Sequence, residues 1–160
     1  MAQPITSPVE EAATNTAGTL LQDTLVDLVD LSLVAKQAHW NLVGRQFHDV
    51  HLHLDELVQT ARSYMDAVAE RSAAIGVSPD GRAPTVAKSS GLAEFPSGWV
   101  SDRDAVKKIF EATDTVVRRL RPRIEQAGAV DSLTEDLLIG LGRDMEKARW
   151  MWQAQNVGFE

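Results

Sequence analysis

Two pairs of side chains able to bind metal recur at helical spacing in this 160-residue chain: His51 with Asp55, and Asp66 with Glu70. Residues four apart on a helix project from one face, and imidazole with carboxylate suits a first-row divalent ion such as ferrous iron or zinc. A further histidine, His39, stands twelve residues before His51. From His51 to Asp66 is fifteen residues, or roughly 22 Å of helix at about 1.5 Å per residue. One helix therefore does not close both pairs around a single ion. A second copy of that helix, antiparallel across a two-fold axis, would set His51 and Asp55 of one chain against Asp66 and Glu70 of the other. The spacing points to a metal site shared between subunits.

Helices must position these residues, and the apolar pattern supplies them. Residues 1–16 hold Pro4, Pro8, Glu10, Glu11 and several Ser and Thr, and read as a mobile tail. A domain over 17–157 follows, with a short C-terminal end at 158–160. Leu21, Leu25, Leu28, Ser32, Ala35 and His39 recur at steps of four and three, with Asp23, Asp27 and Asp30 on the other side, predicting an amphipathic helix that ends near Gly44. A second helix runs from Phe47 to Ile75, with Val50, Leu54, Leu57, Ala61, Tyr64 and Val68 inward. The ligand pairs lie one residue round from that stripe, bordering the core and facing a neighbour. A Gly- and Pro-rich connection follows, with a short helix expected near Thr85–Ser90. A third long helix starts at Ser101 or Asp102 and ends near Ala127, with Val106, Ile109, Thr113, Val116 or Val117 and Leu120 inward and a kink expected at Pro122. Gly128 fits its stop, and Asp131 or Ser132 the next cap. The last helix covers Leu133–Asn156, with Leu137, Leu141, Met145, Ala148 and Trp152 inward. No segment shows strand alternation. The fold class is all-α: a ferritin-like four-helix bundle with a long crossover, containing a short helix, between its second and third long helices.

Composition narrows the chemistry. There is no cysteine, which rules out disulfides, thiolate metal sites and a cysteine nucleophile, and fits a reducing cytoplasm. The first basic residue is Lys36, so an N-terminal leader would lack its charged region. No apolar run approaches the roughly 20 residues of a membrane span. The formal charge of −7 disfavours a general nucleic-acid surface. The cluster Arg118, Arg119, Arg121 and Arg123 reads by default as a solvated helix end.

The segment Lys36-Gln-Ala-His-Trp-Asn-Leu-Val-Gly44, then Phe47, His51, Leu54-Asp55-Glu56-Leu57 and Asp66-Ala-Val-Ala-Glu-Arg71, resembles the signature of the mini-ferritins, the DNA-binding proteins from starved cells (Dps), at every ligand position. The last helix matches more weakly, at Asp136-Leu-Leu-Ile and at Glu146-Lys147 with Trp150. The resemblance implies an oxidation centre built from His39, His51 and Asp55 of one subunit and Asp66 and Glu70 of its two-fold mate. It implies a dodecameric homo-oligomer that oxidises ferrous iron with hydrogen peroxide, one or two irons per site, and stores ferric mineral inside its shell, with zinc as a competitor. The Glu-x-x-His motif of larger ferritins is absent: the residues three before His39, His48, His51 and His53 are Lys36, Arg45, His48 and Val50.

Other residues take secondary expectations. Trp40, beside His39, is a candidate electron donor to quench radicals when one iron is present. Asp136 matches an acidic position lining the family's three-fold pores; Asp131 is either a second such residue or a helix N-terminal acid. Arg71 is expected in a salt bridge at the dimer interface, Trp150 and Trp152 in packing, and His48 and His53 in solvent or hydrogen bonds. The alternative function is a nucleoid protein that binds DNA without sequence preference. Family members do so through basic tails, yet residues 1–35 and the eleven residues after Arg149 contain no basic side chain. DNA binding is expected to be weak or absent.

Overall fold

The computed structural model describes residues 5–157. The elements, in order, are α1 (Glu11–Asn41), β1 (Leu42–Val43), α2 (Phe47–Ala74), α3 (Ala83–Ser89), β2 (Val100–Ser101), α4 (Asp102–Gly128) and α5 (Ser132–Val157). The four long helices form the ferritin-like bundle expected from the sequence, with α3 inside the crossover. Residues 1–4 of the expected tail, with Pro4, and the end at 158–160 lie outside the described residues.

Two antiparallel hairpins, α1–α2 and α4–α5, make most of the packing. Of the predicted inward residues, Leu21, Leu28, Ala35, Val50, Leu54, Ala61, Val68, Val106, Ile109, Leu141, Met145 and Trp152 are fully buried. Their removal from water is the main stabilising term. Tyr64, Leu137 and Ala148 are half-buried at its margin.

Three features depart from the sequence reading. First, α1 begins at Glu11, inside the expected tail. The Ser7 hydroxyl accepts from the Val9 amide at 3.0 Å and pairs with the Thr14 hydroxyl at 2.7 Å, and Val9 packs on the core, so the chain is anchored well before residue 17. Second, β1 and β2 pair in parallel, Leu42 with Val100 and Val43 with Ser101, tying the loop between α1 and α2 to the start of α4. Asp102 reinforces the tie by accepting from the Gln46 amide at 2.8 Å. Gly44 has φ +146°, and a Cβ there would meet the Asp102 carboxylate at 2.2 Å, so only glycine fits this close approach.

The third departure is Asp27, placed by its sequence period on the polar side of α1 but only 1% exposed. It accepts from Arg123 Nη1 at 2.8 Å and Arg119 Nε at 2.9 Å, and Arg123 is itself buried. The arginine cluster is accordingly not a bare solvated end: Arg118 pairs with Asp114 and Arg121 with Glu146. Pro122 sits within α4 without ending it. Asp30 takes the Ser90 hydroxyl, and Gln22 makes two 2.8 Å bonds with the Asp80 backbone, so the polar side of α1 holds the crossover down.

A candidate metal centre

The end of α1 and the first turns of α2 run side by side, which brings His39 against His51 despite the twelve residues between them. Their rings stack with centroids 3.6 Å apart and an interplanar angle of 23°. Each ring is tied to the other residue's main chain: His39 Nδ1 lies 3.0 Å from the His51 carbonyl oxygen, and His51 Nδ1 lies 3.1 Å from that of His39. A carbonyl oxygen only accepts, so each Nδ1 is the donor, and in the neutral ring each Nε2 keeps a free lone pair. Such a bond on the far nitrogen is how proteins orient a metal-binding imidazole. The donor set therefore fits a divalent cation.

Asp55, one turn along α2 from His51, completes the cluster. One ligating atom each from His39, His51 and Asp55 lies within 4.8 Å of the others, the group of three such side chains found among the described residues. His39 is buried, and Asp55 is half-exposed at the mouth. The Lys36 ammonium donates to Asp55 Oδ1 at 2.5 Å. That bond, helped by the nearby charges of the cluster and opposed by burial, holds the carboxyl below the ordinary aspartate range. Lys36 is the site residue that sequence reasoning passed over. The signal was available in its position three before His39, one turn away on the same face.

Asp66 and Glu70 do not join this cluster in one chain. Both are exposed on the later turns of α2, where the fifteen-residue span leaves them. Trp40, next to His39, is 65% exposed. Of the remaining histidines, His48 is exposed with Asp49 at 3.6 Å, whereas His53 stacks on Trp152 at 3.9 Å and bonds to Gln155 at 3.2 Å. His53 thus has the hydrogen bond expected of it. Trp152 is core, while Trp150 is 63% exposed on the subunit.

Arg71 makes its salt bridge within the subunit, to Asp131 at 2.6 Å, and its Nε donates to Thr134 at 3.2 Å. Asp131 also accepts from the Thr134 amide at 3.1 Å, capping α5. Arg71 directly follows Glu70, so this pairing anchors the end of α2 that carries Asp66 and Glu70 to α5. At the same end Gly76, with φ +79°, closes α2 with paired bonds from Gly76 and Val77 to Ala73 and Ser72. Asp136 is exposed on the first turns of α5.

Burial pushes the Asp131 carboxyl up, but hydrogen bonds from Thr134 and Arg71, with the arginine's charge, outweigh it and hold the group below the usual range. A depressed folded value gives stability that is full above the unfolded pKa, near ~3.9, and is lost as pH falls through the folded value. Asp131→Ala is therefore expected to cost about 2 kcal/mol at neutral pH, the upper end for a lost cap because an ion pair goes with it. Denaturant midpoints measured from pH 7 downward should show the gap from wild type closing through the acid range; a gap constant with pH would contradict this account.

Comparison with known proteins follows the same lines. The ferritin-like domain family matches residues 18–159. The fine tangled pili major subunit of Haemophilus ducreyi is 37% identical over 134 residues, which is 84% of this chain and 71% of that protein. DNA protection during starvation protein 2 of Deinococcus radiodurans is 35% identical over 148 residues, 88% of this chain; the chain spans only 61% of that relative's length. Among solved structures, Dps from Microbacterium arborescens in its high iron form superposes with a TM-score of 0.89 at 30% identity, covering 94% of this chain and 98% of that one. No helix among the described residues is long and apolar enough to cross a membrane. With a bundle of this topology, a family match over nearly the whole chain and Dps-named relatives and structures of 30% identity or more, the chain belongs to the Dps family of the ferritin-like superfamily.

Proposed function

We propose that this protein is a peroxide-consuming ferroxidase and iron store. It oxidises ferrous iron with hydrogen peroxide at sites shared between two subunits and keeps the ferric product inside a dodecameric shell. The observation that supports this most directly is the paired His39 and His51 rings, each with Nδ1 held by a carbonyl and Nε2 left for a cation, beside Asp55. Asp66 and Glu70 of the mate supply the remaining carboxylates. Two ferrous ions give two electrons to one peroxide, and with two protons the products are two ferric ions and two waters, so no hydroxyl radical is released. Hard carboxylate oxygens favour the ferric product. Trp40 donates one electron when a lone iron has reacted, and Asp136 lines the route by which iron enters. Zinc competes for the same ligands.

DNA protection by direct binding is not favoured. All four arginines of the only dense basic cluster face carboxylates of their own subunit, and the subunit charge is −7. Contact with DNA gains affinity by releasing counterions from phosphates to free cationic groups, and this cluster offers few.

The test is to load the apo-protein anaerobically with ferrous iron, add peroxide, and follow ferric absorbance, peroxide loss and spin-trapped radical. Oxidation at a pair of ferrous ions per peroxide is expected, slowed by about 100-fold or more in His51→Ala with Asp66→Ala, since losing even a hydrogen-bonding partner of a ligand costs 10–100-fold. Trp40→Phe should raise radical yield and leave ferrous binding unchanged. Equal rates in wild type and the ligand variant would reduce the protein to an inert cage.

A further inference from the structure

A groove of about 300 Å³ runs between α2 and α5. His53 and Trp152 stand at one end of it, Thr60 and Asp144 at the other, and Leu57, Ala148 and Met151 give it apolar surface. Trp152 is fully buried, yet its indole N–H meets no acceptor, the only buried side-chain N or O atom left so among the described residues. A buried donor without a partner is costly and rare, so it marks a place where an acceptor from outside the chain belongs. The ring is held where it is: His53 stacks on it with centroids 3.9 Å apart at 11°, and Gln155 fixes His53 at 3.2 Å. Two charges stand on opposite walls, Glu56 on α2 and Lys147 on α5, and neither has an ion-pair partner among the described residues. Asp144, which accepts from the Tyr64 hydroxyl at 2.8 Å, adds a second carboxylate.

We propose that this groove binds a zwitterion the size of a free α-amino acid with an apolar side chain. The ligand's carboxylate takes the Trp152 N–H and the Lys147 ammonium, its own ammonium faces Glu56 and Asp144, and its side chain lies on Leu57, Ala148 and Met151. Each group in the groove then meets its complement, and bonds between charged groups are the strong ones. Other chemistries fit less well. A plain anion would face two carboxylates for one ammonium. A metal ion would face the Lys147 ammonium and an indole N–H, which donates and does not ligate. The volume lies at the small end of ligand sites, as a molecule of nine or so heavy atoms requires. The groove shares no residue with the cluster of His39, His51 and Asp55, and its reading stands whether or not that cluster oxidises iron.

Labelled L-leucine is the probe, in equilibrium dialysis against the intact, iron-free oligomer at neutral pH, with every variant checked for oligomer size and helix content. Saturation near one leucine per subunit is expected, with Kd about 1 mM or tighter. Lys147→Met and Glu56→Gln, both at exposed positions where the fold is not at stake, should each weaken binding at least tenfold, as the loss of a charged hydrogen bond does. Trp152→Phe, which keeps an aromatic ring and removes the N–H, should weaken it by about three- to tenfold. Unlabelled 4-methylpentanoate and 3-methylbutylamine, each carrying one of leucine's two charges, should compete at least tenfold less well than unlabelled leucine. Absence of saturable binding would overturn the proposal and leave water as the acceptor of the Trp152 N–H. Binding unchanged in Lys147→Met and Glu56→Gln would place leucine elsewhere, and a single-charge analogue competing as well as leucine would refute a site for zwitterions.

Discussion

Co-expressing two dead variants should revive the oxidation of iron. A chain with His51→Ala and Asp55→Ala keeps Asp66 and Glu70; a chain with Asp66→Ala and Glu70→Ala keeps the histidine side of the site. Each alone gives an oligomer in which every site lacks one half, and each is expected to be slower than wild type by about 100-fold or more. With random pairing across an isologous two-fold interface, half of the dimers are mixed, and each mixed dimer has one fully intact site and one stripped of both halves. About one quarter of the wild-type sites should therefore return. Stopped-flow oxidation rates on the co-purified oligomer, with the two chains counted by mass spectrometry, read the fraction directly. No recovery in a properly mixed oligomer would mean that the halves do not meet across a two-fold axis. The expectation follows from two facts within one chain: His39, His51 and Asp55 converge, whereas Asp66 and Glu70 stay exposed further along α2.

The largest effect on stability is expected at Asp27. Its carboxylate is 1% exposed and pairs with Arg123, whose side chain is 9% exposed, and with the more open Arg119. Asp27→Ala leaves the Arg123 guanidinium buried with only the distant Thr24 hydroxyl at 3.5 Å. Stranding one member of a buried pair costs about 3–5 kcal/mol, or a fall in Tm of about 10 °C for a chain of this length. The Gly91 amide, 3.4 Å from Asp27 Oδ1, also loses its acceptor, so the crossover should become more open to proteolysis. Wild type and variant must be compared at equal protomer concentration, because assembly adds to apparent stability. The double change Asp27→Leu with Arg123→Met removes both charges and should recover most of the loss. A single variant as stable as wild type would show that water, not Asp27, solvates Arg123.

Much of this molecule can be read from its residues, and the gaps share one physical origin. Helical period exposes what a helix does to its own neighbours. The stripes from Leu21 to His39 and from Val106 to Leu120 were legible because burial follows a face. The convergence of His39, His51 and Asp55 was legible because metal chemistry restricts residue type and helices restrict spacing. Asp27 was misjudged because its counter-ions come from Arg119 and Arg123, far along the chain, and no local pattern announces that a charge will meet a partner. Arg71 was assigned to an interface for the same reason; Asp131 answers it from the start of α5. The β1–β2 pair is two residues long, too short for alternation to show. The early start of α1 rests on Ser7 and Thr14 meeting, again a contact rather than a composition. Within one chain Asp66 and Glu70 stay exposed on α2, apart from the cluster of His39, His51 and Asp55.

The short pairing of β1 with β2 also has a kinetic meaning. Each helical hairpin closes through neighbours in sequence, and contacts of that kind form fast; joining Leu42 to Val100 requires the whole crossover to be gathered in, with the loop-closure entropy that entails. The bridge is thus expected to close last, as a seam between the two hairpins. Lys36, His39, His51 and Asp55 all belong to the first unit and reach one another within it. On the proposed function, the half-site would be complete before the seam closes, and the remainder of the fold would serve to present it to a second copy.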